Sequence, residues 1–170
     1  MTPKFVVQIE DTLEDFPTRG LNLLLIFQHD VFPHLAILNQ GKYWAVSTLR
    51  VHRAAPGLAK WNSFKRKKLR VVCFEIFNSS EDEFNIRESF AHVSDLSSSD
   101  NTCLRPVLDF FRRKANTEIR AEVVAELLLE LRNLKLVKHI GALNISPGIL
   151  SLPEYSKEDV LSGIALKRSR

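Results

Sequence analysis

The chain has 170 residues, 45% of them apolar and 26% charged, with a net charge of +4 and only two cysteines. A length of this order fits one domain that buries about 70% of its unfolded surface, and two cysteines exclude a disulfide scaffold and fit a reducing, cytoplasmic setting. No apolar run approaches the ~20 residues of a membrane span, and the first residues do not read as a secretory signal.

In chain order, Lys4 to Glu10 alternates weakly and predicts an edge strand, so residues 1–20 are expected to form an N-terminal extension or edge. Leu21 to Gln28 is almost continuously apolar, which fits a strand buried on both faces or a buried helix. Leu35 to Asn39 and Lys42 to Leu49 read as two strands joined at Asn39-Gln40-Gly41, a tight hairpin with a glycine available for positive φ. Ala54 to Lys68 is expected to be a long connection with a basic end. Leu69 to Phe77 predicts a strand with Val71, Cys73 and Glu75 on one face and Val72, Phe74 and Ile76 on the other.

A short helix is expected around Glu81 to Phe90, followed by a serine- and aspartate-rich loop from Ser94 to Asn101. The second half reads as helical. Pro106 suits the first turn of one helix. Asn116 or Thr117 is expected to cap the next, whose Val124, Leu127, Leu128, Leu131 and Leu134 form an apolar face. Ser146-Pro147-Gly148 predicts a turn into a short helical segment. Ser156 to Asp159 predicts a capping box for a last helix, and residues 167–170 a flexible tail. Strands first and helices second indicate a single α+β domain.

Two distant segments carry a resemblance. The first is Phe32-Pro33-His34-Leu35-Ala36-Ile37-Leu38-Asn39-Gln40-Gly41-Lys42-Tyr43-Trp44-Ala45-Val46; the second is Arg120-Ala121-Glu122-Val123-Val124-Ala125-Glu126-Leu127-Leu128, followed by Ile145-Ser146-Pro147-Gly148-Ile149-Leu150. Together they resemble the circularly permuted branch of the papain-like, NlpC-type cysteine amidases and peptidases. The resemblance implies a small antiparallel sheet or barrel packed against helices, with a strand headed by the catalytic histidine preceding the cysteine helix. His34 falls on the histidine position. The residue that orients the imidazole falls near Ala45, with Ser47 the nearest hydroxyl on that strand face. Arg120 stands where the cysteine should be, and a guanidinium is no nucleophile.

The resemblance therefore implies a pseudoenzyme that binds a protein partner or a ligand in a vestigial cleft near His34, Ser47, Arg120 and Glu122, without a cofactor. Viral, phage and bacterial accessory roles all fit it. At the first turn of a helix Arg120 would oppose the helix dipole by roughly 0.3–1 kcal/mol, so it is expected to point to solvent and pair with Glu118 or Glu122.

Two alternatives stand beside this reading. Cys103, before Pro106 at the start of a helix, keeps the permuted order and with His34 would make a cysteine hydrolase or acyltransferase, if Asn101 or Thr102 caps that helix and the dipole lowers the thiol pKa. The other is a nucleic-acid-associated protein in which Trp61 and Phe64 stack on bases while Lys65, Arg66, Lys67, Lys68 and Arg70 meet phosphates. His29 and His34 flank Asp30, but this spacing does not specify a metal site.

Overall fold

The computed structural model describes residues 5–28, 32–94, 96 and 102–169. The elements are β1 (Val6–Ile9), β2 (Asp11–Thr12), β3 (Leu21–Phe27), β4 (His34–Asn39), β5 (Lys42–Val46), β6 (Val51–Pro56), α1 (Gly57–Arg66), β7 (Arg70–Ile76), α2 (Asp82–Ala91), α3 (Leu104–Ala115), α4 (Val124–Asn133), β8 (Val137–Leu143), β9 (Gly148–Ser151) and α5 (Lys157–Arg168). Seven strands form one sheet in the order β2-β8-β7-β3-β4-β5-β6, and β1 pairs with β9 in a separate two-stranded sheet. The fold is α+β. The large sheet is mixed, because β2 runs parallel to β8 while the other neighbours are antiparallel. It is thus wider than the small antiparallel sheet expected from the sequence.

The sheet is built outward from β3, whose residues Leu21 to Ile26 are all buried. Leu21, Leu23 and Leu25 face one core, with Leu35, Ile37, Val72, Phe74 and residues of α2, α3 and α4. Leu24 and Ile26 face a second core, with Ala36, Leu38, Val71, Cys73 and the α1 residues Trp61 and Phe64. Each large apolar side chain buried there contributes about 1.5–3 kcal/mol. A strand apolar on both faces needs a cover on both sides, and the helices divide accordingly. The alternation of β7 follows the sequence pattern, and Cys73 is a core side chain whose thiol donates to Asn22 Oδ1 at 3.4 Å; burial, with the charges of Glu75 and Asp11, pushes its pKa up to about 12.

Several elements differ from the sequence expectation. The supposed connection from Ala54 to Lys68 is the end of β6 followed by α1. Gly57, Trp61 and Phe64, spaced by four and three, form its buried stripe. The second half is not wholly helical. Val137–Leu143 is an inner strand between β2 and β7, and the segment after Pro147 is β9, extended against β1. Asn116 does not open a helix. It closes α3 as a left-handed C-cap with φ 49°, a conformation that asparagine tolerates better than most residues. The helix after it starts only at Val124, behind an extended Val123. Near the N-terminus, β2 is an edge strand of the large sheet, β1 pairs with β9, and Leu13 N–H donates to the Ala142 carbonyl. The serine-rich segment from 97 to 101 lies outside the described residues.

Other expectations hold. The hairpin turn places Gln40 at φ 47° and Gly41 at φ 79°, the paired positive values of a type I′ turn. Ser156 caps α5 in a reciprocal box with Asp159, which holds the Asp159 carboxyl below its ordinary pKa. Among the described residues no helix is long and apolar enough to cross a membrane.

Two predictions follow from this packing. A Cβ at Gly57 would lie 2.6 Å from both the Gly41 carbonyl oxygen and Leu38 Cδ1, so Gly57→Ala should lower the unfolding free energy by about 1–3 kcal/mol in urea titrations. His139 on β8 contacts Glu10 and, at 2.9 Å, Asp11. Burial alone would lower its pKa, but the hydrogen bond to Asp11 and the charges of Asp11, Glu10 and Glu75 outweigh it and hold the pKa above the ordinary 6.5. The stabilisation is therefore complete below pH ~6.5 and lost as pH rises through the raised native value. His139→Gln should remove that part of the stability–pH curve, measured as denaturation midpoints from pH 6 to 8.

Candidate functional site

The β4–β5 ladder begins at Ala36↔Ala45, so His34 and Leu35 lie past its end. Here the N-termini of α3 and α4 approach the strand ends, and α5 lies across the gap. The result is a cleft of about 1210 Å³. Its walls are mostly apolar, among them Phe32, Val46, Leu108, Val124, Leu161 and Ile164. His34, Ser47, Cys103, Arg120 and Glu122 all line it. The structure thus gathers residues from four separate stretches of sequence that the sequence reading had singled out.

Arg120 points to solvent and pairs with Glu118 as expected, but its place in the chain's local structure and the other roles differ from the sequence expectation. Arg120 is not in the first turn of a helix but four residues before Val124, so the dipole penalty does not arise. Its guanidinium is 81% exposed and donates to Glu118 at 3.0 Å on the rim of the cleft. The Ser47 hydroxyl is committed to a local turn. It accepts from the Leu49 and Arg50 amides and lies 3.1 Å from the Arg50 carbonyl, which removes it as the group orienting His34. Strand alternation groups His34 with Ala36 and Leu38, on the α1 face; it contributes to the cleft from the strand end. Glu122 ties the wall to the roof through Lys157 of α5 at 3.6 Å.

The helix whose first turn meets β4 is α3, and Cys103 is its N-cap residue, with no side-chain cap. Thr102 does not cap it, and Asn101 lies outside the described residues. Burial is the largest influence on the Cys103 thiol and raises its pKa, while hydrogen bonds from the Leu35 and Cys103 backbone and the charge of Lys167 pull the other way. The net direction is upward, so the thiol stays protonated near neutral pH. The sulfur nevertheless sits at the residue beside His34, and its charge, if formed, would reach Tyr155. Tyr155 packs edge-on against Phe32, with centroids 4.9 Å apart, and bonds to the backbone of Val124 at the start of α4.

Sequence reading missed the roof. The capping box announces α5, but nothing local indicates that its apolar side lies over His34 and Cys103. A Cβ added at Gly163 would come within 2.9 Å of Phe32, which marks how closely the helix crosses there. The described residues of α5 are all at least partly exposed, so it covers the cleft without joining either core.

The nucleic-acid alternative loses its stacking platform. Trp61 and Phe64 are only 2% and 7% exposed because α1 needs them to cover the sheet. Lys65 and Arg66 occupy the last turn of α1, where cations favour the helix dipole. Lys67 is its C-cap, Lys68 turns the chain at φ 53°, and Arg70 lies over the Phe27 ring at 5.2 Å. His29 and Asp30 lie outside the described residues, and among those described no group of three His, Cys, Asp or Glu side chains could hold a metal.

No protein-family model, curated protein or solved structure matches the chain.

The raised thiol pKa has a direct readout. At pH 7.5 Cys103 of the native protein should react with iodoacetamide roughly tenfold or more slowly than in urea, where the thiol returns toward ~8.5. Mass spectrometry of the Cys103 peptide measures both rates, and equal rates would contradict the environment described.

Proposed function

We propose that the protein is a binding module whose cleft takes a small ligand with an apolar body and an anionic group. The observation that carries this reading is the cleft itself: about 1210 Å³, walled mainly by apolar side chains, with the N-termini of two helices directed at it. Helix N-termini favour anions through their unpaired amides and dipoles. Arg105 adds a cation along the same walls, as do Arg112 and Arg120, which also pair with Asp109 and Glu118, beside the carboxylates Glu122, Glu154 and Asp159. The apolar surface supplies affinity and the few charged groups orient the ligand, as in most small-molecule sites.

Catalysis is not needed for this role. A thiol kept protonated is a poor nucleophile. The permuted papain-like architecture belongs to the same proposal. What supports it is the order of parts, a strand headed by His34 preceding a helix headed by Cys103, with that helix seated on the strand. On this reading Cys103, rather than Arg120, takes the position of the family's cysteine.

The second reading, a cysteine hydrolase or acyltransferase, is favoured by one observation: the hydrogen bond between Cys103 and the backbone of Leu35, next to His34. Rapid alkylation of Cys103 at neutral pH that is lost in His34→Ala would establish it against the binding reading.

Calorimetric titration with dodecanoate tests the proposal. One saturable site is expected, with affinity at least tenfold above that for the uncharged dodecanol. Leu161→Glu, which puts a carboxylate into the roof, and Arg120→Glu, which reverses a rim charge, should each weaken dodecanoate about tenfold or more. Both positions lie outside the packed cores, so the fold should survive. Unsaturable uptake, or unchanged affinity in both variants, would remove the cleft as a binding site.

A further inference from the structure

Away from the cleft, β6 and α1 bring together a second concentration of charge. Lys60 Nζ is 3.3 Å from His52 Nε2. Both groups contact Tyr43: Lys60 lies 5.5 Å from the ring centroid, and the His52 ring meets it edge-on at 5.7 Å. Arg50 stands two residues before His52, after the Ser47 turn, and Lys67 caps the C-terminus of α1. None of these four forms an ion pair with a carboxylate among the described residues. By contrast, Lys42 on the neighbouring strand pairs with Glu83 at 2.7 Å, and Lys114 with Asp82 at 2.8 Å.

We propose that this surface binds the phosphate group of a small phosphorylated ligand, which displaces the Lys60–His52 contact and bridges Lys60 to the protonated His52 imidazole, in the field of Arg50 and Lys67. Cations gathered without carboxylates repel one another, and a dianion relieves that repulsion while accepting a hydrogen bond from each. The electrostatics agree with the geometry. Burial, then the charges of Lys60 and Arg50, lower the His52 pKa; burial, then Arg50 and Lys67, lower that of Lys60. Phosphate binding reverses the charge contribution to both. Recognition is of the phosphate rather than of a nucleic-acid strand, because Tyr43, Trp61 and Phe64 are buried and leave α1 no exposed ring on which bases could stack.

NMR titration of the His52 ring with inorganic pyrophosphate, at constant ionic strength, tests the assignment. The His52 pKa should rise saturably by about one unit, a tenfold gain in proton affinity. Lys60→Gln should abolish the rise and Lys60→Arg should restore most of it. No saturable shift, a shift reproduced by chloride alone, or a Lys60→Gln variant that responds like the native protein would overturn the proposal. So would an oligonucleotide or anionic vesicle that shifts His52 where pyrophosphate does not.

Discussion

Everything in this fold depends on β3 being apolar on both faces. A strand with only one greasy side could lie on the surface of a single helical layer. Leu21 to Ile26 cannot, because one face left bare would expose Leu21, Leu23 and Leu25 to water and the other Leu24 and Ile26. The chain meets this constraint with two unequal covers. The short helix α1 seals one side with Trp61 and Phe64, while α2, α3 and α4 seal the other. The close approach of α1 at Gly57 and the division of β7 into two apolar sets are consequences of the same demand.

The cleft is a by-product of how the larger cover ends. α3 and α4 both start near the head of β4, past the point where the β4–β5 ladder stops. Strand ends that lack a pairing neighbour and helix starts with unpaired amides meet at one place, which makes it polar at its edges and apolar within. α5 closes over it without burying any of its described residues, held by its capping box, the Lys157–Glu122 pair and the crossing at Phe32. Such a roof has little packing to hold it down, so it belongs to the low-stability part of the structure.

Cys103 illustrates why position alone does not decide chemistry. It stands at a helix start, a place that can lower a thiol pKa, yet burial outweighs the backbone hydrogen bonds and the Lys167 charge that pull it down. The same competition is visible at His139, where neighbouring carboxylates outweigh burial. In each case the tertiary structure sets the direction, through burial at Cys103 and through neighbouring charges at His139.

Local pattern alone determined much of this protein. The continuous apolar run of β3, the glycine hairpin with positive φ, the alternation of β7 and the Ser156–Asp159 capping box each depend on neighbours within a few residues, and each can be read from the chain. The candidate residues His34, Ser47, Arg120 and Glu122 were also legible as individuals. What only the tertiary structure decided depends on partners far away in sequence. Val137–Leu143 becomes an inner strand because β7 and β2 flank it, despite a run whose charged residues and glycine weaken its strand signal. Gly148–Ser151 is extended because β1 offers it an edge. The basic run proved to be the end of a helix whose aromatic residues face inward. That α5 roofs the cleft, and that Cys103 rather than Arg120 heads the helix on β4, follow from long-range packing, which no short window of sequence encodes.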